Sequence, residues 1–314
     1  MSGDALSFPN LGLYFEHFNK SILAMGRVEI RFFGLILGAA ILVGFIVSSL
    51  RAKKSGQDPE LYLDLAVYLL IFGMIGARLY YMFFRWQDQF KSMVPTMLDM
   101  KEGGGLCLYG AIIAGIITVL IYSVVKRKKP FKILDTLVFG LCAAIPVGRL
   151  SDLVERANFG GYTDNLFAMR IAASEALPEA ITTEMTDAAL LGEYRGFIQV
   201  RPLFLYDIAF CCLFLLVLML FFRKPKKDGN TFFVFMIAYF AFRIYIDSQV
   251  LEPLVLLESS IPVNLAISIA LVVVNTLGLL LFNFVNLSPK TKKKIKKKIK
   301  NIRSNKIILP KRSL

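Results

Sequence analysis

The chain has 314 residues, of which 56% are hydrophobic, and its formal net charge is +14 at pH 7. Its mean hydropathy of +0.60 is too high for an ordinary soluble domain, so the composition indicates an integral membrane protein. The single histidine, His17, precedes the first long apolar run. This excludes base catalysis by a histidine on a membrane helix.

Seven apolar runs are long enough to cross a bilayer, which takes roughly 20 residues. They cover approximately 30–50, 62–85, 105–125, 133–150, 203–222, 231–247 and 262–284. The sequence therefore predicts an all-α integral membrane protein with seven transmembrane helices. The first 29 residues are mixed and polar, and no small-residue cleavage site follows the first run, so we expect no cleaved signal peptide.

Basic turns follow the first, third and fifth runs, and they read "RAKK", "KRKKPFK" and "RKPKK". The positive-inside rule places such turns in the cytoplasm, which predicts an N-terminus outside and a C-terminus inside. The long connection of about 151–202, between the fourth and fifth helices, is then expected to form an extracytoplasmic cap that contains short helices.

This topology divides the chain into an extracytoplasmic segment (1–29), a membrane domain (30–284) and a basic cytoplasmic tail (285–314). From Ser288 onward the tail carries twelve Lys and Arg and no acidic residue. Ile295, Ile299 and Ile302 give it a narrow apolar stripe, which is typical of a segment lying on anionic membrane lipid. A run of lysines can also indicate nucleic-acid binding, but we do not expect that function for a run that directly follows a membrane helix.

Most small residues in the apolar runs predict helix packing, whereas the glycine run at 103–105, like Tyr109, points to a functional site. Three glycines at 103–105 open the third run, which indicates a flexible or re-entrant entry. Gly110 and Gly115 then predict close helix contacts. Four cysteines lie in apolar helices without metal-ligand spacing, so we expect small hydrophobic side chains, no disulfide and no metal site. They are Cys107, Cys142, Cys211 and Cys212.

Ionisable side chains inside a membrane mark a functional site by default. The candidates are Arg78, Asp135, Arg149, Asp207, Arg243 and Asp247. Tyr239, Arg243 and Asp247 are four residues apart and share one helix face. That face is either an ion pair that holds helices together or an anion site at a polar cavity. An arginine binds phosphate through two parallel donors, so Arg149 and Arg243 together could hold a phospholipid headgroup. Each arginine alone could equally snorkel to the interface.

These segments resemble the bacterial prolipoprotein diacylglyceryl transferases over about residues 10–284. The resemblance depends on the order and spacing of "GMIGARLYYMFF", "GGGLCLYGAIIAG", "LDTLVFGLCAAIPVGRLSD", "VRPLFLYD" and "YFAFRIYID". It implies transfer of the diacylglyceryl group of phosphatidylglycerol to the lipobox cysteine of a prolipoprotein, in the bacterial cytoplasmic membrane and without a cofactor. The attacking sulfur then belongs to the substrate, so no enzyme cysteine is needed.

The resemblance also implies which residues form the site. The expected catalytic residues are Arg149, Arg243, Tyr239 and Tyr109. The expected substrate-binding residues are Arg78, Asp135, Asp152, Glu155, Arg201, Tyr206, Asp247 and Gly110. In this scheme Arg149 binds the lipid phosphate, Arg243 orients the thiol, and Asp135 and Asp247 hold the arginines in place.

The chain departs from the family signature G-R-x-G-N-F-x-N-x-E-x-x-G, because it reads "GRLSDLVERANFG". Asp152 and Glu155 replace two neutral asparagines, and these carboxylates oppose phosphate binding unless they pair with Arg156, Arg201 or another basic group. Arg201 itself replaces the histidine of the usual H-P-x-x-L-Y-E motif.

Two alternatives stay open on the sequence. The altered signature favours a degenerate or substrate-altered member of the family that binds phospholipid or lipoprotein without this transfer. Buried charges alone would also allow a transporter, although no internal repeat of the kind found in many transporters is visible.

Overall fold

The computed structural model describes residues 5–16, 20–25, 28–89, 107–176, 178–190, 196–221, 228–251 and 262–285. Within these ranges, seven helices are long and apolar enough to cross a membrane, which confirms the predicted number. They are α1 (Phe32–Lys54), α2 (Pro59–Gln89), α3 (Leu108–Val125), α4 (Pro130–Glu155), α6 (Leu203–Phe221), α7 (Asn230–Gln249) and α8 (Val263–Val285). The short helix α5 (Thr183–Leu190) lies between α4 and α6.

The outer faces of the long helices carry large apolar side chains that are exposed in the described part of the chain. Leu35 and Leu42 on α1, Val124 on α3 and Phe221 on α6 are all more than half exposed. Apolar surface of this extent is stable when lipid covers it. The helices therefore form a bundle whose outer surface suits a bilayer.

Glycines allow two helix pairs to approach closely. Gly110 of α3 faces Gly76 of α2, where an added Cβ would collide with the Gly76 carbonyl oxygen. Gly140 of α4 faces Gly44 of α1 in the same way. The predicted close contact at Gly110 is confirmed. At Gly115 a Cβ would lie 3.6 Å from Leu69, which is an ordinary contact, so the prediction of close approach there is wrong.

A layer of β-strands covers one end of the bundle, and it corrects the expectation of an all-α chain. The strands are β1 (Leu6–Phe8), β2 (Leu13–Phe15), β3 (Ser21–Met25), β4 (Val28–Arg31), β5 (Phe159–Gly160), β6 (Met169–Ala172) and β7 (Phe197–Pro202). Five of them form one antiparallel sheet in the order β2-β1-β6-β7-β5, while β3 and β4 form a separate hairpin. The region predicted to contain short helices does contain them, namely α5 and two 3-10 helices at Ala173–Glu175 and Pro178–Ala180, but it also contributes β5, β6 and β7, which were not predicted.

Four of the five strands of the sheet are largely buried, and β2 at its edge is exposed. β7 is an interior strand, since β6 pairs with it on one side and β5 on the other. Its side chains Phe197, Ile198 and Val200 are buried on both faces of the strand. β1 and β2 form a hairpin that turns at Gly12, whose φ of 67° is a conformation that glycine adopts readily.

The strand layer is joined directly to the ends of the membrane helices. β7 runs into α6 without a loop. At the end of α7, Gly160 bridges to Val250, and the Leu251 amide donates to the Phe159 carbonyl at 3.2 Å. These contacts fix the layer against the ends of α6 and α7. The glycine run at 103–105 and the basic tail after residue 285 lie outside the described residues.

Candidate active site

The polar residues of the candidate site lie at the end of the bundle that carries the strand layer. The chain crosses back and forth, so α3, α6 and α8 begin at this end and α4 and α7 finish there. Tyr109 lies in the first turn of α3, Asp207 near the start of α6 and Ser268 near the start of α8. Arg149 and Arg243 lie toward the ends of α4 and α7. Antiparallel connectivity thus brings residues that are far apart in sequence together.

Asp207 joins the two arginines that the sequence singled out. Its Oδ2 atom lies 2.8 Å from Arg149 Nη2 and 2.8 Å from Arg243 Nη1. The Asp207 side chain is only 2% exposed. A buried carboxylate with two guanidinium partners is strongly stabilised, and it also keeps two like charges close together. Arginines from α4 and α7 therefore form one unit.

A second set of hydrogen bonds extends from Arg243 into α3 and α8. Arg243 Nη2 pairs with Asp247 Oδ1, which confirms the predicted contact between these residues on one face of α7. The Tyr109 hydroxyl and the Ser268 hydroxyl both donate to Asp247 Oδ2, the latter at 3.0 Å. Arg243 Nε also donates to the Tyr109 oxygen at 3.4 Å. These contacts hold the Arg243 guanidinium rigidly.

Two buried polar atoms of the cluster have no hydrogen-bond partner among the described residues. They are the Tyr239 hydroxyl and the Asp207 Oδ1 atom. The Tyr239 ring itself is packed against Phe235, with 5.5 Å between the ring centroids. Buried polar groups almost always find a partner, so unpaired ones beside two arginines indicate a place for a polar ligand.

Arg149 is paired a second time within its own helix. Its Nη1 atom lies 2.9 Å from Asp152 Oδ2, one turn further along α4. Asp152 Oδ1 accepts a hydrogen bond from the Asn158 amide at 3.1 Å. Directly after the helix, Arg156 adopts a left-handed conformation with φ of 52°, and its N–H bonds back to the Asp152 carbonyl. The helix end thereby places the Asp152 carboxylate over Arg149.

The other charges of the altered signature pair away from this cluster. Glu155 lies 3.7 Å from Arg31, which precedes α1. Arg156 donates to Glu175 at 3.0 Å, and Lys20 contacts the same carboxylate at 2.6 Å. Asp152 and Glu155 therefore pair with Arg149 and Arg31, which belong to the other basic groups that the sequence left open beside Arg156 and Arg201.

The remaining predicted residues are spread around the site. Arg201 donates to Gln249 at 2.9 Å and so links β7 to the end of α7. Tyr206 is half-buried and immediately precedes Asp207. Arg78 lies on α2 with its guanidinium 5.9 Å from the centre of the Tyr81 ring. Gly110 follows Tyr109 and contributes the close approach of α3 to α2.

Asp135 lies at the opposite end of the bundle, which corrects its assignment beside the arginines. Its two carboxylate oxygens accept hydrogen bonds from the backbone N–H groups of Gly229 at 2.6 Å and Phe232 at 2.8 Å. These N–H groups belong to the first turn of α7, where helix amides lack partners within the helix. Asp135 is thus an N-terminal cap supplied by a neighbouring helix.

A cavity of about 440 Å³ lies between α1, α2, α3 and α4. Its wall is mainly apolar and includes Leu37, Met74, Ala111 and Leu141. Arg149 and Asp152 form its polar end. A cavity of this size with few polar groups is typical of a small-ligand site, and here the charged groups lie at one end only.

Sequence reasoning found most of the cluster but missed how its members connect. Asp207 was recognised as a buried charge, yet its role as the bridge between two arginines follows only from how α4, α6 and α7 come together at this end of the bundle. Ser268 carried no signal, because a single serine in an apolar helix is common. Asn158 is also a missed contact, since it depends on the left-handed helix end.

The fold and this cluster define a multi-pass membrane protein with a charged site at one end of an apolar cavity. The model of the prolipoprotein diacylglyceryl transferase family matches residues 20–281. The chain therefore belongs to the prolipoprotein diacylglyceryl transferase family, as the resemblance in its motifs implied. Its bacterial relatives and its seven apolar helices identify a multi-pass protein of the bacterial cytoplasmic membrane.

Three relatives named phosphatidylglycerol–prolipoprotein diacylglyceryl transferase illustrate the similarity. The Listeria innocua protein is 26% identical over 267 residues, which cover 85% of this chain and 90% of the relative. The Staphylococcus carnosus protein is 28% identical, with 85% and 92% covered. The Thermosynechococcus vestitus protein is 28% identical, with 74% and 82% covered. The similarity extends over nearly the whole of each relative.

Proposed function

We propose that the protein transfers the diacylglyceryl group of phosphatidylglycerol to the cysteine thiol of a prolipoprotein lipobox, forming a thioether and releasing glycerol phosphate. One observation carries this proposal beyond family membership. Asp207 joins the buried Arg243 to the partly buried Arg149, and Arg149 also lies in the wall of an apolar cavity. That arrangement suits a ligand with an anionic headgroup and a hydrocarbon tail.

In this reaction the substrate sulfur attacks the glyceryl carbon that carries the phosphate. The new S–C bond forms as the C–O bond breaks, and the electron pair of that bond leaves on glycerol phosphate while the thiol proton is released. Arg149 binds the phosphate and stabilises the charge that develops on the leaving oxygen. Arg243 lies beside Arg149 and favours the thiolate, which is the nucleophilic form of cysteine.

Tyrosines and carboxylates complete the proposed site. Tyr239 offers its hydroxyl, which has no hydrogen-bond partner among the described residues, to an oxygen of the lipid. Tyr109 acts with Asp247 to hold Arg243 in one orientation. Arg201 and Tyr206 lie where β7 meets α6, on the side from which the prolipoprotein peptide is proposed to enter, whereas Arg78 and Gly110 lie on the α2 and α3 side.

We further propose that the site faces the outer leaflet, with the N-terminus outside, the strand layer as an extracytoplasmic cap and the C-terminus inside. Basic residues at the opposite end of the bundle support this orientation. They include Arg51, Lys53, Lys54, Lys126, Arg127, Lys128 and Lys129. The segment 1–29 then lies outside, the membrane domain spans 30–284, and the basic tail 285–314 binds anionic lipid of the inner leaflet.

The test is a transfer assay with purified protein, phosphatidylglycerol and a lipobox peptide, read by mass spectrometry of the peptide. We expect a diacylglyceryl adduct on the peptide cysteine. Arg149→Ala should abolish the adduct, while Lys128→Ala removes one exposed positive charge at the other end of the bundle and should keep it. A wild-type protein that forms no adduct would contradict the proposal.

A second candidate function is lipid binding without transfer. It is favoured by one observation, namely that the Asp152 carboxylate already forms an ion pair with Arg149, the residue proposed to bind the lipid phosphate. In that case the same assay gives no adduct, and phosphatidylglycerol remains bound to the purified protein in an Arg149-dependent manner. Both candidate functions therefore require phosphatidylglycerol binding, but only the transferase forms a peptide adduct.

A further inference from the structure

We propose that Asp152 is a built-in competitor of the lipid phosphate, so that the donor lipid binds Arg149 only by displacing this carboxylate. The inference rests on the proposed function for the identity of the lipid. It concerns a residue at which this chain departs from the family signature, and it makes Asp152 a determinant of donor affinity.

The first step in the argument is that each terminal nitrogen of Arg149 already contacts a carboxylate. Nη1 is paired with Asp152 at 2.9 Å, and Nη2 is paired with Asp207 at 2.8 Å. Arginine recognises phosphate best through two parallel donors. A phosphate beside both carboxylates would place three negative charges around one guanidinium, so we infer that it binds by taking the place of one of them.

Asp152 is the carboxylate that can leave. Asp207 is 2% exposed and also holds Arg243, so its separation from Arg149 would leave a buried charge without one of its two partners. Asp152 is 13% exposed and lies in the cavity wall, whereas Asp207 and Arg243 do not belong to the described part of that wall. A phosphate that enters from the cavity meets the Arg149–Asp152 pair first.

The helix end allows the Asp152 side chain to move while its backbone stays fixed. Its carbonyl accepts hydrogen bonds from the N–H groups of Arg156 and Ala157, the latter at 3.0 Å. The second carboxylate oxygen is already hydrogen-bonded to Asn158, which is exposed. Rotation of one side chain toward Asn158 therefore frees Arg149 without unwinding α4.

The charge balance of the cluster points in the same direction. Two arginines, Arg149 and Arg243, meet three carboxylates, Asp152, Asp207 and Asp247. With all five ionised the cluster carries one net negative charge, and departure of Asp152 makes it neutral. A protein whose binding-competent state is only partly populated binds its ligand more weakly in proportion. Asp152 thus lowers the affinity for an anionic headgroup.

The experiment compares Asp152→Asn with wild type in binding to phosphatidylglycerol and to diacylglycerol of the same acyl chains. Binding to purified protein in maltoside detergent, which carries no phosphate, is titrated without peptide and read by native mass spectrometry. We expect the Kd for phosphatidylglycerol to fall about tenfold and the Kd for diacylglycerol to stay unchanged, since only the first lipid carries a phosphate. Asp152→Ala, which also removes the carboxylate, should tighten binding in the same way.

Asp64→Asn is the matched control, because it removes a half-exposed carboxylate that pairs with Lys126 at the other end of the bundle. It should leave both Kd values unchanged. An unchanged or higher Kd for phosphatidylglycerol in both Asp152 variants would overturn the inference, since Asp152 would then position Arg149 rather than compete for it.

The two proposals fail separately, because this binding assay needs no turnover. Tighter phosphatidylglycerol binding in Asp152→Asn, together with no peptide adduct from the wild-type protein, would support the role of Asp152 as a competitor and contradict the proposed transferase activity. An adduct from the wild-type protein, together with unchanged phosphatidylglycerol binding in the Asp152 variants, would support the transferase activity and contradict the role of Asp152 as a competitor.

Discussion

Asp135 and Asp207 are both buried carboxylates on membrane helices, but they lie at opposite ends of the bundle and have different partners. Asp135 accepts from two backbone N–H groups at the start of α7 and thereby satisfies a helix end. Asp207 uses one oxygen for two arginines and has a second oxygen without a partner among the described residues. A buried charge in a membrane protein thus indicates function only when some of the polar atoms at that site lack a hydrogen-bond partner.

The largest effect is expected at Arg243, which belongs to the Asp207 end. Arg243→Ala removes the partner of both Asp207 and Asp247 together with the positive charge next to the proposed thiol. We expect transfer to fall about a thousandfold or more, which is the scale of losing a preorganised electrostatic group. Peptide mass spectrometry measures the loss, and Lys128→Ala again serves as the control. Full activity in Arg243→Ala would remove the site assignment.

Asp207→Asn addresses the bridge itself. The amide cannot neutralise Arg149 and Arg243, so the two guanidinium groups should repel each other and lose their fixed positions. We expect transfer to fall about a hundredfold while phosphatidylglycerol still binds, because the positive charges remain. Transfer rates and phosphatidylglycerol binding curves, measured side by side for the variant and the wild-type protein, test this prediction. Equal losses in Asp207→Asn and Asp135→Asn would break the distinction between the two ends of the bundle.

Gly110→Ala tests how closely α3 must approach α2 to bring Tyr109 into the site. The new Cβ would collide with the Gly76 carbonyl and with Tyr80, so the helices must separate. We expect a loss of about 2 kcal/mol in stability, within the usual range for overpacking. Gly115→Ala meets only Leu69 and should change little. Thermal unfolding of the two detergent-solubilised variants compares them, and similar melting temperatures would contradict this account of the helix contact.

The smallest effect is expected for Asp135→Asn. The substituted side chain keeps one acceptor oxygen but turns an amide donor toward a backbone N–H, which should cost about 1 kcal/mol in stability. Arg149 lies fourteen residues further along the same helix, about 20 Å away, so the rate of transfer by the folded protein should be unchanged. Rates normalised to folded protein test this. A large loss of activity would contradict this account and support the earlier assignment of Asp135 to the substrate-binding residues.

The sequence was sufficient to predict the parts of this fold that a bilayer imposes. Apolar run length determines each membrane helix, and the structure has helices at all seven predicted places. The strand layer could not be predicted in the same way, because β1 and β5 are only two or three residues long and are stabilised by pairing with distant strands. The first strand pairs with β6 more than 150 residues later, through Ser7 and Arg170.

The candidate site was predictable where spacing along one helix decides a contact. Four-residue spacing on α7 correctly paired Arg243 with Asp247. Contacts between helices were not readable, so Asp207 was not placed between Arg149 and Arg243, and Asp135 was placed at the wrong end. The partner of Asp152 was also missed, because the pairing with Arg149 depends on how α4 ends at Arg156.

The central claim is that the two arginines bridged by Asp207 form the headgroup site and that the cavity beside Arg149 holds hydrocarbon. An experimental structure of the protein with bound phosphatidylglycerol tests it most directly. The account predicts a lipid phosphate within hydrogen-bond distance of Arg149, with Asp152 turned away and an acyl chain in the cavity. A phosphate bound elsewhere, with the Arg149–Asp152 pair intact, would contradict it.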